Sequence, residues 1–493
     1  MRSYFRFLFC FAALVLLISV GSNAAYAQRT YNRQWNVYPQ WTRGAIQSVI
    51  DNARDGDMIY FNRGTYDFST APTTQNAGAL QIIDKSLIVK GAPGSIIVGA
   101  PISKDPDTGA WIGIKCFWIL NSDANKDVTF DGLTFRTFFN AIISANPGDV
   151  NGNPVEYPNL RNLVVKNCTF LDMKRQGIVV DGAQGNITIS NNRINGDRAS
   201  SVFGIYIDWF FEPGNLEWQP KNTLVTIANN SINGFGHIGG FGAGFLNNRA
   251  SNMLITGNAI SNSVSGIIFD DGLKNEAIVS NNTLSDLDTG IQLRSATEIL
   301  NGALFQLVAR GLKLTYNKFS NIGSWGIYIY GDLAHSNSIA FNKINMGSGS
   351  AIYSEGYDNQ YMNNTIRGCG YQAVILSGGD TLADGGLIWG AHHEYFANNS
   401  VYGFTPQDPN NPPNIGWDYE LSGYAHDNIV IGIRTENATY VDYGVNNIFK
   451  FVYPYVPPTV MTSLMRLGSL KIQNKPPKGP ATMEGQIYNK LPQ

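Results

Sequence analysis

Apolar and polar residues alternate with period two through most of this chain, and the alternation is cut at intervals by asparagine. The cadence is an alternating run, a turn Asn, one residue, then an apolar residue. It reads NLVVKNCTF (162–170), NITISNNRI (186–194), LVTIANNSI (224–232), MLITGNAI (253–260), AIVSNNTL (277–284), LKLTYNKF (312–319), SIAFNKI (338–344), YMNNTI (361–366) and EYFANNSV (394–401). Aligned this way, Asn167, Asn192, Asn230, Asn258, Asn282, Asn317, Asn342, Asn364 and Asn399 are equivalent, and DNIVI (427–431) adds Asn428, at a mean spacing of 29 residues. Runs of period two rich in Ile, Val, Thr, Tyr and Phe predict strands. No unit holds a long segment of period 3.6, which excludes leucine-rich, ankyrin and TPR arrays.

Short strands at this period, each coil stacked on the last, predict a parallel β-helix counted as one domain. The turn Asn is expected to adopt left-handed geometry and to stack its amide on the next coil. No six-residue period marks the left-handed solenoid, and no G-G-x-G-x-D series marks the calcium-roll type. On this cadence, over roughly residues 55–450, the sequence resembles the pectin-lyase-like superfamily. The resemblance implies an all-β, single-stranded right-handed parallel β-helix.

Both ends of a solenoid expose an apolar cross-section and need caps. Residues 42–53 (TRGAIQSVIDNA) predict an amphipathic helix with Thr42 as N-cap and Ala45, Ile46, Val49, Ile50 and Ala53 on one face. The strands are expected to start after it. YPYVPP (453–458) and NKPPKGP (474–480) break strand continuity at the other end. The expected organisation is a signal peptide at 1–27, an N-terminal cap with a short helix at 28–55, the β-helix at 56–450, and a C-terminal cap and tail at 451–493.

The leader rests on Arg2 and Arg6, an apolar run from Phe7 to Val20, and Ala25-Tyr26-Ala27 as a cleavage signature. The apolar run is shorter than the roughly 20 residues a span needs. A secreted protein, extracellular or periplasmic, with no integral span after cleavage is therefore expected. Cys116, Cys168 and Cys369 remain, an odd and widely spaced set that reads as buried thiols rather than a disulfide framework. Of 493 residues 52 are Gly, 15% are charged and 43% hydrophobic, which excludes disorder and provides a large core. Net charge is -2, and loss of Arg2 and Arg6 brings it to -4, so no basic excess points to nucleic acid.

About nine residues after each turn Asn a second motif recurs: GIVVD (177–181), GIYID (204–208), GFLNN (244–248), GIIFD (266–270), GIQLR (290–294), GIYIY (326–330), AIYSE (351–355) and AVILS (373–377). Alternation sends its second and fourth positions into the core and its third and fifth toward solvent. One outward column is then Val179, Tyr206, Leu246, Ile268, Gln292, Tyr328, Tyr353 and Ile375. Its neighbour is Asp181, Asp208, Asn248, Asp270, Arg294, Tyr330, Glu355 and Ser377.

Coils stack about 4.8 Å apart. That spacing puts Asp181 and Asp208 about 5 Å apart, which implies a cation such as calcium or a raised pKa there. Arg294 falls beside Asp270, and Asp271 makes this the most acidic spot in the column. Outward rings suit the apolar faces of sugars while polar neighbours take hydroxyls.

These features point to polysaccharide. The candidate catalytic residues are Asp208, Asp270, Arg294, Tyr328 and Tyr330. Substrate contacts fall to Tyr206, Asp271, Gln292, Tyr353 and Glu355, and metal ligation to Asp181 and Asp208. Lyase, hydrolase and epimerase chemistry all remain open, as does a non-catalytic carbohydrate-binding scaffold. For a hydrolase, Asp208 and Asp270 at about 10 Å lie just beyond the usual spacing of inverting carboxylates. The five His residues are dispersed at turns and read as satisfied loop residues. GHIGG (236–240) superficially resembles the Gly-His-Gly of pectin-hydrolysing β-helix enzymes. Its companion motifs are absent, so no enzyme family's catalytic residues carry over.

Overall fold

The computed structural model describes residues 31–69, 79–100, 103–104, 111–120, 125–144, 159–181, 184–197, 201–208, 224–236, 243–248, 252–270, 276–300, 303–331, 333–377, 391–402, 419–421, 427–431, 434–435, 440–442, 446–450 and 453–454. Over these residues the chain winds as a right-handed parallel β-helix. One face is a fifteen-stranded sheet from Gln34–Val37 to Ile448–Lys450; the strands of the other two faces form a twenty-four-stranded sheet. The two faces fuse where Ala259–Asp270, Thr283–Arg294 and Lys318–Tyr330 run through the corner as single long strands.

The register explains why period two suffices to specify this shape. Leu163, Ile187, Val225, Met253, Ala277 and Leu312 are successive partners up the first face. All six are buried, so one inward column of six coils becomes one continuous core. Slipping any coil by one residue would turn its apolar set outward.

The cap helix α1 spans Arg43–Asn52, and Thr42 Oγ1 accepts from Ala45 N at 3.2 Å. Ile46 and Ile50 enter the core and Val49 packs against it, whereas Ala45 is exposed, one position off the buried stripe. Gln47 fixes α1 to the first coil by a pair of hydrogen bonds with the Gln81 backbone, at 2.8 and 3.0 Å. Lys85 Nζ donates to the Ile50 and Asp51 carbonyls, supplying a cation at the helix C-terminus. Contrary to expectation, the sheet begins ahead of the helix: Gln34–Val37 pairs with Asp57–Phe61. Only Val37 of that strand is buried, too little for alternation to reveal.

The Asn cadence divides into two roles. The left-handed residue is the one before the stacked amide: Asn191, Asn229, Asn281, Asn363 and Asn398 have φ between 55° and 57°. The following Asn is buried. Asn230 Oδ1 accepts from both Asn192 N and Nδ2 at 3.0 Å, and Asn230 Nδ2 donates onward to Asn258 Oδ1 at 3.0 Å and back to the Ile189 carbonyl at 2.9 Å. The same pattern continues through Asn282, Asn317, Asn342, Asn364 and Asn399.

Two assignments therefore change. Lys166 pairs with Ser190, so Asn167 (φ 54°) is the partner of Asn191, and Cys168 takes the rung below Asn192. Asn428 precedes its strand rather than following it, and it belongs to a second ladder where the chain enters the first face. There Asn337 Nδ2 donates to Asn359 Oδ1 at 2.9 Å, Asn359 Nδ2 to Glu394 Oε1 at 2.8 Å, and Asn428 Nδ2 to Asn447 Oδ1 at 3.1 Å. Cys116, Cys168 and Cys369 are buried and in no disulfide, as expected, and burial pushes the Cys168 thiol up to about 12.

Candidate functional site on the third face

The third face carries the recurring motif, and its register matches the expected columns. Val179, Tyr206, Leu246, Ile268, Gln292, Tyr328, Tyr353 and Ile375 are successive partners. So are Asp181, Asp208, Asn248 and Asp270, and Arg294 pairs with Tyr330.

Two outward positions do not face solvent. Val179 packs with Trp118 and Ile143, and Ile268 with Phe203, leaving them buried on the outer side. Large neighbouring side chains on the same face cover them, so outward direction and exposure are separate properties here. The side chains of Asp181 and Asp208, and all of Asp271, lie outside the described residues. The same holds for the insert at 209–218, the GHIGG histidine, and most of the inserts at 379–392 and 403–415. Among the described residues no three His, Cys, Asp or Glu side chains gather as metal ligands.

The remaining residues do come together. Arg294 Nη1 lies 2.8 Å from Asp270 Oδ1, close enough for an ion pair though outside the angular range of a hydrogen bond. Asp270 is 18% exposed and Arg294 37%, so the pair sits at the rim rather than in the core. One coil further on, Tyr328 and Tyr330 stack at 5.8 Å, and Tyr328 meets Tyr353 at 5.1 Å.

Glu355 is fixed by two donors. Tyr353 Oη donates to its Oε1 at 2.6 Å and Gly331 N to its Oε2 at 3.0 Å. Burial, and behind it the charge of Glu355, pushes the Tyr328 hydroxyl up to about 12; Arg294 pulls weakly the other way. Burial first and the bond to Glu355 next raise Tyr353 further still. Both phenols therefore keep their protons at neutral pH and act as donors. Shortly after Arg294, part of the insert at 295–310 folds as an antiparallel hairpin, Ala296–Leu300 against Ala303–Leu307.

Trp325 was missed. It lies 5.5 Å from Tyr328 and 5.0 Å from Tyr353, completing the ring cluster. Alternation hid it: Trp325 stands two positions before the inward-facing Ile327, and the register of the two strands shifts just ahead of the Thr289–Trp325 pair. The histidines are less scattered than the sequence suggests. His335, Tyr357 and His392 stack at 4.6 and 4.9 Å, with His393 edge-on to His392. Burial, then Arg310, draws His335 below its usual range, against the pull of Asp358.

The chain thus has a right-handed parallel β-helix fold. No protein-family model and no curated protein matches it. Solved structures do. A mutant tailspike protein of E. coli bacteriophage HK620 is similar over 84% of this chain and 75% of its own, at TM-score 0.53 and 11% identity, a likeness that shows the fold. The catalytic domain of a GH87 alpha-1,3-glucanase in complex with tetrasaccharides matches over 80% and 68%, at TM-score 0.44 and 12% identity. The AlgE6 A-module, a mannuronan C-5 epimerase of Azotobacter vinelandii, matches over 84% and 95%, at TM-score 0.39 and 13% identity.

Proposed function

We propose that this is a secreted protein that binds polysaccharide along its third face and modifies it, by cleavage or epimerisation. The observation that carries the reading is the ring cluster of Trp325, Tyr328, Tyr330 and Tyr353 set against Arg294, Gln292 and Glu355 in one register. Rings cover the apolar faces of sugar units, and fixed polar groups take hydroxyls. The leader expected at 1–27 from Arg2, Arg6 and the apolar run after them supports export.

The chemistry this set supports is proton transfer. Tyr328, which keeps its proton, is suited to protonate a leaving or ring oxygen, and Glu355, anchored by Tyr353 and Gly331, is suited to accept one. Arg294 is partly neutralised by Asp270, so it orients a substrate oxygen rather than acting as a free cation. Glu355 and Asp270 stand three coils apart, about 15 Å. That is too far for a glycosidase carboxylate pair, so Asp270 is assigned to holding Arg294.

A glycan panel scored for unsaturated product, new reducing ends and epimerised residues tests the reading. Tyr328→Phe and Glu355→Gln should each lower turnover about a hundredfold or more, with binding largely kept. Full turnover in both variants would remove catalysis from this cluster. Binding without turnover by the unaltered protein would leave only the scaffold reading.

A further inference from the structure

The strand that carries part of the ring site has a second side. Ser350–Ser354 presents Tyr353 outward and runs on to Glu355, and alternation turns Ser354, between them, into the core, where it is completely buried. There Ser354 Oγ donates to Glu394 Oε1 at 3.2 Å, and Asn359 Nδ2 donates to the same oxygen at 2.8 Å. Glu394 is completely buried as well, and its Oε2 has no hydrogen-bond partner among the described residues. A carboxyl group inside the solenoid thus holds, from behind, the strand that bears two residues of the site.

The place it holds is the end of the pairing. Ile329 and Leu376 are the partners of Ser354 on the coils to either side, and they close both ladders of this strand. Ser354 is therefore the last paired residue before Glu355. What surrounds the carboxyl sets its charge. Asp358, in the turn before Asn359, adds its own negative charge to the effect of burial, and Tyr361 on Gln360–Met362 stays a neutral phenol because burial holds it well above its ordinary range. His393, the residue before it, is exposed, and Ile429–Ile431 on the next coil brings no ionisable group. Burial accordingly keeps the acid protonated up to about pH 8. The proton belongs on Oε2, since Oε1 already takes two donors. Once ionised, the group would be a charge with two neutral donors in a dry core, a state relieved only when water enters or a donor moves.

We infer that Glu394 is a positioning residue for the ring site: as a neutral acid it pins Ser354 and with it Tyr353 and Glu355, and its ionisation opens that strand end. The inference rests on the saccharide reading above for what the site does, and adds to it a control by pH from within the core.

Hydrogen exchange of the full chain, read by mass spectrometry and corrected for the intrinsic rate, tests it without any glycan. The reporters are Gly331 N, which donates to Glu355 Oε2 at 3.0 Å, and Glu355 N, which donates to the Ile329 carbonyl at 3.1 Å. In the unaltered chain, peptides that hold them should exchange about tenfold faster or more at about pH 9 than at about pH 6. Glu394→Gln keeps an acceptor for Ser354 and Asn359 and cannot ionise, so its two rates should agree within about twofold. Ser354→Ala cuts the link and leaves the acid in place; its reporters should exchange faster already at the lower pH and respond little to the higher. Peptides from Asn159–Lys166, several coils away, report general unfolding and should not change in any of the three chains. Equal rates at both pH values in the unaltered chain, a rise in Glu394→Gln as large as in the unaltered chain, or Ser354→Ala behaving like it would overturn the inference. So would a rise shared by Asn159–Lys166. None of these outcomes touches the saccharide reading, which the glycan panel decides separately.

Discussion

Asn282 and Glu394 hold corresponding places at opposite edges of the fifteen-stranded sheet, one where the chain leaves it and one where the chain enters. Both are buried completely and both accept from the Asn of the coil before. Asn282 also donates, to Asn317 Oδ1 at 2.9 Å and to the Ile255 carbonyl at 3.0 Å. Glu394 has no amide to do so. Its Oε1 accepts from Asn359 and from Ser354 Oγ at 3.2 Å, only its backbone N reaches Asn428 Oδ1, and Oε2 has no hydrogen-bond partner. An amide ladder is neutral at every pH. A carboxyl rung in the same setting titrates, and burial pushes Glu394 up to about 8, against the hydrogen bonds from Asn359 and Ser354.

The largest expected effect follows from that rung. The folded value lies above the unfolded one of 4.5, so the stabilising contribution is complete below about pH 4.5 and is lost as pH rises through about 8. The swing is on the order of 4–5 kcal/mol. Thermal midpoints of the wild type should fall across this window, and Glu394→Gln should flatten the profile. A flat wild-type profile would break the contrast between the two turns.

Asn282→Leu should come next, at about 3 kcal/mol, because Asn258 N and Nδ2 both lose their acceptor. That loss should be the same at pH 5 and pH 8, and an unchanged midpoint would show that the ladder carries no stability. The smallest effect concerns Tyr316, a left-handed residue at φ 58° whose half-exposed ring stacks on Phe341 at 5.2 Å. Strain of about 1 kcal/mol for a bulky residue there opposes the stack. Tyr316→Asn should therefore stabilise by about 0.5 kcal/mol in a denaturant titration, and destabilisation would mean that the exposed stack outweighs the strain.

The first ladder was legible because one letter recurs in one local context, after an alternating run and two positions before an apolar residue, although the coils differ in length. Its register was less so: in pairs such as Asn229-Asn230 the left-handed residue and the stacked one share a letter, and at Asn167 the wrong member was aligned. Glu394 gave no signal, since a lone Glu in EYFANN looks like any surface charge. At the ring site, alternation put Tyr328, Tyr330 and Tyr353 on one surface correctly, but it could not show that Val179 and Ile268 are covered by neighbours on that same surface.

The cap helix α1 bears on how these rods meet one another. A parallel sheet that ends without cover offers unpaired backbone and a flat apolar section, to which the equivalent end of another copy would add strand by strand. By seating Ile46 and Ile50 over the first coil and tying Gln47 to Gln81, α1 covers the apolar section at this end, and beyond it stands the short edge strand Gln34–Val37, of which Val37 alone is buried. A second copy meeting this end therefore finds a polar strand and a helix in place of a bare core.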